Sequence, residues 1–274
     1  MIVHDLGALE APVMVFGGPY SNLPALAALC ARAEALSIPA GRMICTGDVV
    51  AYCASPAETV ARIRALGCAV VAGNCERQLA ANAVDCGCGF EAGTTCDLLS
   101  AGWYAHANAN VGPEDRAWMA GVPDVVVFEQ AGKRFAVIHG GLSDISRFIW
   151  PTSAAHVFAE EVALIERAVG KVDGVLAGHC GVAFQRHVRC VNWINAGVIG
   201  MPPHDGDPRT RYVVLRDGHA EICKLSYDYD QACRDMRAAG LVQGYDRALV
   251  TGYWPSEDVL PPELRAEALR DSGW

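Results

Sequence analysis

A chain of 274 residues, 52% hydrophobic and 19% charged, has enough apolar surface for one large α/β domain or two small ones. Its net charge of −9 speaks against non-specific nucleic-acid binding, which needs clustered Lys and Arg to displace counterions. No apolar run approaches the roughly 18 residues of a membrane-spanning helix, and the opening MIVHDLGALEAP lacks the basic start and apolar stretch of a signal peptide; the expected compartment is the cytoplasm, with no membrane partner.

The first strand pattern is VMVFGGPY, an apolar run followed by two glycines and polar residues. The same text recurs as RMICTGD, CAVVAGNC, RFAVIHGG and VDGVLAGHC. Short continuous apolar runs predict buried strands. The glycine permits a tight turn and a close approach, and the residue after it falls at the C-terminal edge of the strand, where open α/β sheets bind ligands. Helical patterns separate these runs. NLPALAALCARAEALSI carries Pro24 in its first turn. SPAETVARIRAL has Ser55 as N-cap, Pro56 at the first helical position and Glu58 three residues after the cap. SAAHVFAEEVALIERAVG closes at Gly170. This alternation, which runs to about residue 80, predicts parallel βαβ units. Residues 82–112, rich in Cys, Gly and Ala, read as a loop or irregular insert. Beyond residue 185, RHVRCVNWINAG, RTRYVVLRDG and HAEICKLSYD predict antiparallel or mixed strands, the last two joined by a hairpin at Asp217-Gly218. Residues 1–245 read as one domain and 246–274 as a C-terminal surface extension.

Four residues follow the strand-end glycines: Asp48, Asn74, His139 and His179. A carboxylate, an amide oxygen and two imidazoles suit a borderline divalent cation such as Zn, Mn or Fe. Any one of them alone reads as a residue that supports a turn. Four at equivalent strand ends point to a metal site, and if the strands neighbour one another in one sheet the four side chains meet at one edge. The 12 cysteines read as free thiols or metal ligands rather than a disulfide framework. Cys30, Cys68, Cys190, Cys223 and Cys233 lie in helix-like or strand-like stretches and read as small core hydrophobes. Cys75, Cys86, Cys88, Cys96 and Cys180 fit that reading less easily.

The order GD, GN, HG and GH, with TGDVVAYCASP at 46–56 and NAGVIGMPPHDGDPRTRYVVLRD at 195–217, resembles the calcineurin-like metallophosphoesterases, and among them small bacterial phosphodiesterase-type members. The likeness runs from residue 13 to about 240. It implies a four-layer α/β/β/α sandwich of two mixed β-sheets flanked by helices. It also implies a two-metal site that hydrolyses a phosphate mono- or diester of a small phosphorylated substrate through metal-activated water. Carried over by residue, the likeness makes Asp48, Asn74, His139 and His179 one complete ligand set. The other set keeps only the shared Asp48. The Asp and His of the family's D-x-H loop are here Gly18 and Tyr20, although the trailing Asn22 remains, and the second His of its GHxH loop is Gly181. The family's phosphate-contacting His after GN is Cys75, which makes Cys75 the candidate general acid, and the Ser of its NPGS turn is Val198.

Tyr20, Asn22, Cys75 and Cys180, with Cys86, Cys88 and Cys96 brought over by the 86–96 segment, are candidates to rebuild the second metal site or to line its pocket. The alternative is that the thiols line a dry pocket or pair as disulfides. Tyr52 reads as a structural residue lining the site, and Arg209 as a partner of Asp205 or Asp207. Three functions stay open: a metal-dependent phosphoesterase with one conventional metal and an atypical second site, a non-catalytic homologue that binds a ligand or partner, and a thiol-rich metal or redox protein.

Overall fold

The structure is a computed structural model that describes residues 1–267. In chain order its elements are β1 (Val3–Ala8), β2 (Val13–Phe16), α1 (Leu23–Ala35), β3 (Met43–Cys45), α2 (Pro56–Leu66), β4 (Ala69–Val70) and α3 (Asn74–Ala80). There follow α4 (Thr95–Asn110), α5 (Pro113–Gly121), β5 (Val125–Gln130), β6 (Lys133–Val137), α6 (Ala155–Val169) and β7 (Gly174–Ala177). The chain continues with β8 (Phe184–Val188), β9 (Val191–Asn195), β10 (Thr210–Arg216), β11 (His219–Leu225), α7 (Tyr229–Ala238) and α8 (Tyr245–Thr251).

The continuous apolar runs make strands that are buried on both faces, and alternate residues serve different cores. Val13 and Val15 of β2 face an inner core, whereas Met14 and Phe16 face an outer one. Val126 and Phe128 of β5 and Leu176 of β7 join that inner core, whereas Val125, Val127, Val175 and Ala177 join a third. This period of two sorts the strands into a five-stranded sheet, β11-β10-β2-β3-β4, and a six-stranded sheet, β1-β5-β6-β7-β9-β8. The inner core lies between them. Both sheets are mixed. β2, β3 and β4 run parallel through the α1 and α2 crossovers, and β10 pairs antiparallel with β2 and with β11. β6 runs parallel to β7 and β7 to β9, while β5–β6 and β8–β9 are antiparallel. Phe128 and Phe135 face each other across β5–β6 and stack with centroids 5.2 Å apart. Residues of α1, α2, α4, α7 and α8 cover the five-stranded sheet, and α6 covers the six-stranded one. The architecture is the expected four-layer sandwich.

Several expectations are corrected. The 82–112 segment is irregular only in its first part, because Thr95–Asn110 forms a four-turn helix. Thr94 caps it by accepting from the Asp97 N–H, and Trp103, Tyr104 and Ala107 bury one face. The run past residue 245 is no surface extension over its described part. α8 buries Tyr245, Ala248 and Leu249, and Leu260 is buried beside α6. Residues 268–274 lie outside the described residues. Cys190 is no core residue; it is exposed in the turn between β8 and β9, while Cys30, Cys68 and Cys223 are only half-buried. The N-terminal residues, which carried no strand pattern, form edge strand β1, parallel to β5. No helix among the described residues is long and apolar enough to cross a membrane.

Trp103 is 1% exposed and anchors α4 to the five-stranded sheet. Trp103→Ala is expected to cost about 3–5 kcal/mol of folding stability, read as a fall in the urea midpoint at constant slope.

Candidate metal centre

The strand-end glycines act through close approach. A Cβ on Gly47 would stand 2.6 Å from the Gly73 nitrogen and 2.8 Å from His139 Nδ1. Removing it lets the loops after β3, β4 and β6 press together. Two of the residues so delivered, Asp48 (φ 53°) and His179 (φ 60°), sit in the left-handed region, a strained conformation for side chains with Cβ that collects at functional sites.

The four side chains converge, although not at the edge of one sheet. Asp48 and Asn74 follow β3 and β4 of the five-stranded sheet, whereas His139 and His179 follow β6 and β7 of the six-stranded one. The sheets stack with these ends level. His139 Nε2 lies 3.1 Å from Asn74 Oδ1, 3.1 Å from His179 Nδ1 and 3.3 Å from Asp48 Oδ2. His139 Nδ1 donates to the Thr46 carbonyl at 2.7 Å. A carbonyl only accepts, so Nδ1 carries the hydrogen, and in the neutral ring Nε2 offers a lone pair. It then faces two oxygens and a nitrogen that also carry lone pairs. Such a set repels itself unless a proton or a cation lies among them. With no metal, the proton takes that place. Burial lowers the His139 pKa, but the Asp48 charge and hydrogen bond outweigh it and leave it raised. Burial likewise raises Asp48, yet His139 and His179 hold it below its ordinary value. Burial and the neighbouring His139 charge push His179 down to about 3, against the opposing Asp48 charge and Ser146 backbone. Its Nε2 is buried without a hydrogen-bond partner of normal geometry. The nitrogen that His179 turns to the centre is Nδ1, and an imidazole nitrogen beside a carboxylate, an amide oxygen and a second imidazole fits a divalent cation.

Glu76 holds this set in place and has no counterpart in the sequence reading. It is fully buried, in the first turn of α3. Its Oε2 accepts from the Asp48 N–H at 2.8 Å and the Gly73 N–H at 2.8 Å, and its Oε1 from the Val49 N–H at 2.9 Å. Burial, then the Asp48 charge, push its pKa up to about 7.

The loop that carries Gly18 and Tyr20 is filled. A Cβ on Gly18 would stand 2.5 Å from Cε1 of Tyr20, so the Tyr20 ring occupies the space that a side chain at 18 would need. A Cβ on Gly181 would meet the Trp254 ring at 3.2 Å. Asn22 caps α1, accepting from the Ala25 N–H at 3.1 Å, and donates to the Gly200 carbonyl at 3.0 Å. Both ends of its amide are engaged in these bonds. Burial, then the Asp48 charge, hold the Tyr20 phenol well above its ordinary range.

The cysteines divide. Cys86 and Cys88 are bonded to each other, so they are not free thiols. Cys96 and Cys180 line a cavity of about 50 Å³ beside His179, with Tyr20, Tyr52, Phe148 and Trp254. Burial pushes Cys180 up to about 12. Cys75 is buried and absent from the cavity wall, but it lies beside the centre, its Sγ 3.5 Å from Asn74 Nδ2, and burial and then Asp48 hold its thiol well above the ordinary range. Tyr52 stacks against Trp103 and Tyr245 on the cavity wall. Arg209 pairs with Asp207 at 2.8 Å. His204, unassigned in sequence, bonds Glu257 at 2.7 Å and accepts from the Trp254 N–H at 2.8 Å, which seats Trp254 over the cavity.

No protein-family model matches the chain, and no curated protein matches it. Solved structures do. A metallophosphoesterase from Sphaerobacter thermophilus superposes with a TM-score of 0.67 at 19% identity, over 89% of this chain and 100% of that one. A hypothetical protein from Pyrococcus horikoshii OT3 gives a TM-score of 0.72 at 15% identity, over 90% of this chain and 99% of that one. At such identities the likeness is one of fold: the chain is built on the calcineurin-like metallophosphoesterase fold.

Glu76→Gln replaces an acceptor oxygen with an NH₂ that faces backbone donors. It is expected to lower stability by about 1.5–3 kcal/mol, measured as the shift of the thermal midpoint of the metal-free chain.

Proposed function

We propose that the chain is a metal-dependent phosphoesterase built on one cation site, with Asp48, Asn74, His139 and His179 as its ligands. The observation that carries this reading is the convergence of three lone-pair atoms, Asp48 Oδ2, Asn74 Oδ1 and His179 Nδ1, around a fourth, His139 Nε2. When bound, a divalent ion such as Mn, Zn or Fe supplies Lewis acidity and lowers the pKa of water. The chain's own residues orient and exclude. Thr46 fixes the His139 ring, Glu76 fixes the Asp48 loop, and the aromatic wall keeps bulk water from the His179 side.

Charge selects among phosphate esters. The Asp48 carboxylate cancels one of the two charges of a divalent ion, and no Lys or Arg lines the cavity beside His179 among the described residues. One positive charge balances the monoanion of a diester. The dianion of a monoester would leave an uncompensated charge next to apolar walls, which is costly. A phosphodiester is therefore the favoured substrate.

A second reading has an observation of its own. Tyr20 and Trp254 fill the space around Gly18 and Gly181, which suits a protein that keeps the fold and one cation as a binding site without hydrolysis. One experiment separates the two. The chain purified without a tag is analysed for metal and assayed with Mn²⁺ on bis(p-nitrophenyl) phosphate and on p-nitrophenyl phosphate. The enzyme reading expects one metal per chain and faster diester hydrolysis. Asn74→Ala is then expected to cut the diester rate by about 100-fold or more, about 2.7 kcal/mol of barrier, with the fold retained. Metal binding without hydrolysis of either ester would establish the second reading, and no metal at all would refute both.

A further inference from the structure

Segment 85–90 is held between the two halves of the site. Towards the five-stranded sheet, Asn74 Nδ2 donates to the Cys86 carbonyl at 2.8 Å and lies 3.4 Å from Cys88 Sγ. Towards the six-stranded sheet, Ser146 Oγ donates to the Gly87 carbonyl. Phe90 stacks on Phe148 with centroids 6.1 Å apart, and Phe148 lies against the His179 ring at 4.4 Å. Asp85 accepts from the Gly87 N–H at 2.9 Å, and a disulfide between the buried residues Cys86 and Cys88 closes the turn.

An amide side chain has one end that binds a cation and one that repels it. For Asn74 the Cys86 carbonyl makes the choice. Only the NH₂ donates to a carbonyl, so Oδ1 turns to the centre, 3.1 Å from His139 Nε2. We propose that the disulfide-closed Cys86–Cys88 turn is the positioning element for the ligating end of Asn74, so that the centre holds its cation tightly only while the bridge is closed. This inference rests on the metal reading above. Opening the bridge with a small dithiol transfers two electrons and two protons to the sulfurs. The S–S bond breaks, Cys86 and Cys88 become thiols, and the dithiol closes into its own disulfide. The Cys86 carbonyl is then no longer fixed, and the Asn74 amide is free to turn.

Isothermal titration with Mn²⁺ tests this on three forms of the full chain: bridged, dithiol-reduced and freed of reductant without air, and Cys86→Ser/Cys88→Ser. Both open forms are expected to bind about 10-fold or more weakly, the scale of loss when a ligand's supporting partner is removed. Asn74→Asp separates positioning from general support. A carboxylate presents an oxygen whichever way it turns, so in that background affinity should not depend on the bridge. Equal affinity in the bridged and open native-sequence forms overturns the proposal, and so does an equal loss in the Asn74→Asp background. A chain that binds no Mn²⁺ in any form refutes the metal reading instead. The turn is then judged by the Asn74 side-chain amide protons in NMR. These are expected to exchange slowly with solvent when the bridge is closed and fast when it is open, and identical exchange in both states overturns the proposal.

Discussion

One hydrogen bond ties the two sheets together where the chemistry lies. His139 comes from the six-stranded sheet, and its Nδ1–H is given to the Thr46 carbonyl at the end of β3 in the other sheet, at 2.7 Å. That bond sets the tautomer, and the tautomer aims a lone pair at Asp48, Asn74 and His179. The rest of the centre depends on this choice. If Nδ1 were the bare nitrogen, Nε2–H would be an ordinary donor to the surrounding oxygens, and the four groups would satisfy one another without a cation. The sheet stacking is thus the condition for the site as well as for the core. The inner core of Val13, Val15, Ile44, Val126, Leu176 and Ile194 brings the strand ends level, and the glycines between strands and ligands allow the last approach.

The Tyr20 and Trp254 side of the centre is part of the hydrophobic structure. Tyr20 closes over Gly18 and packs edge-on against Tyr52 with centroids 4.8 Å apart. Trp254 closes over Gly181, held by its N–H to His204 Nδ1 and its indole N–H to the Pro202 carbonyl at 2.7 Å. These positions are coupled sterically. A ligating side chain at 18 requires the Tyr20 ring to leave, and its departure would open the aromatic wall that α8 and Trp254 complete. Making room for a ligating side chain at 18 or 181 therefore means dismantling a packed cluster rather than changing one residue.

Much of this was legible in the sequence because strand-end glycines followed by Asp, Asn or His mark both a buried strand and its functional edge. That pattern placed β2, β3, β4, β6 and β7 and named the four converging side chains. It did not reveal that they divide between two sheets, because the sheet to which a strand belongs is fixed by pairing partners distant in sequence. α4 was hidden by its glycine and its small residues, which blur the helical period, although Thr94 with Asp97 three residues on is a start signal. Glu76 passed unnoticed because a glutamate in a helical first turn reads as an ordinary cap. Its importance comes from accepting N–H groups of Asp48 and Val49, 28 and 27 residues away. Trp254 was lost with the tail, whose Pro-rich text gives no periodicity and whose place is set by His204.

The thiols show why residue type alone misleads about metal chemistry. A cysteine ligates as the thiolate, so its worth as a ligand depends on the cost of losing the proton. Around this centre that cost is high. Burial and the Asp48 carboxylate hold Cys75 well above its ordinary range, and burial pushes Cys180 up to about 12. A cation would have to displace those protons in apolar surroundings that already carry the Asp48 charge. Cys86 and Cys88 are withdrawn differently, by bonding to each other. Asp48, held ionised by its histidines, and His179, held neutral by burial and by His139, are instead already in the protonation states that a cation needs. Burial and pairing thus set the protonation of each group around the centre, and they favour the carboxylate and imidazoles over the thiols that surround them.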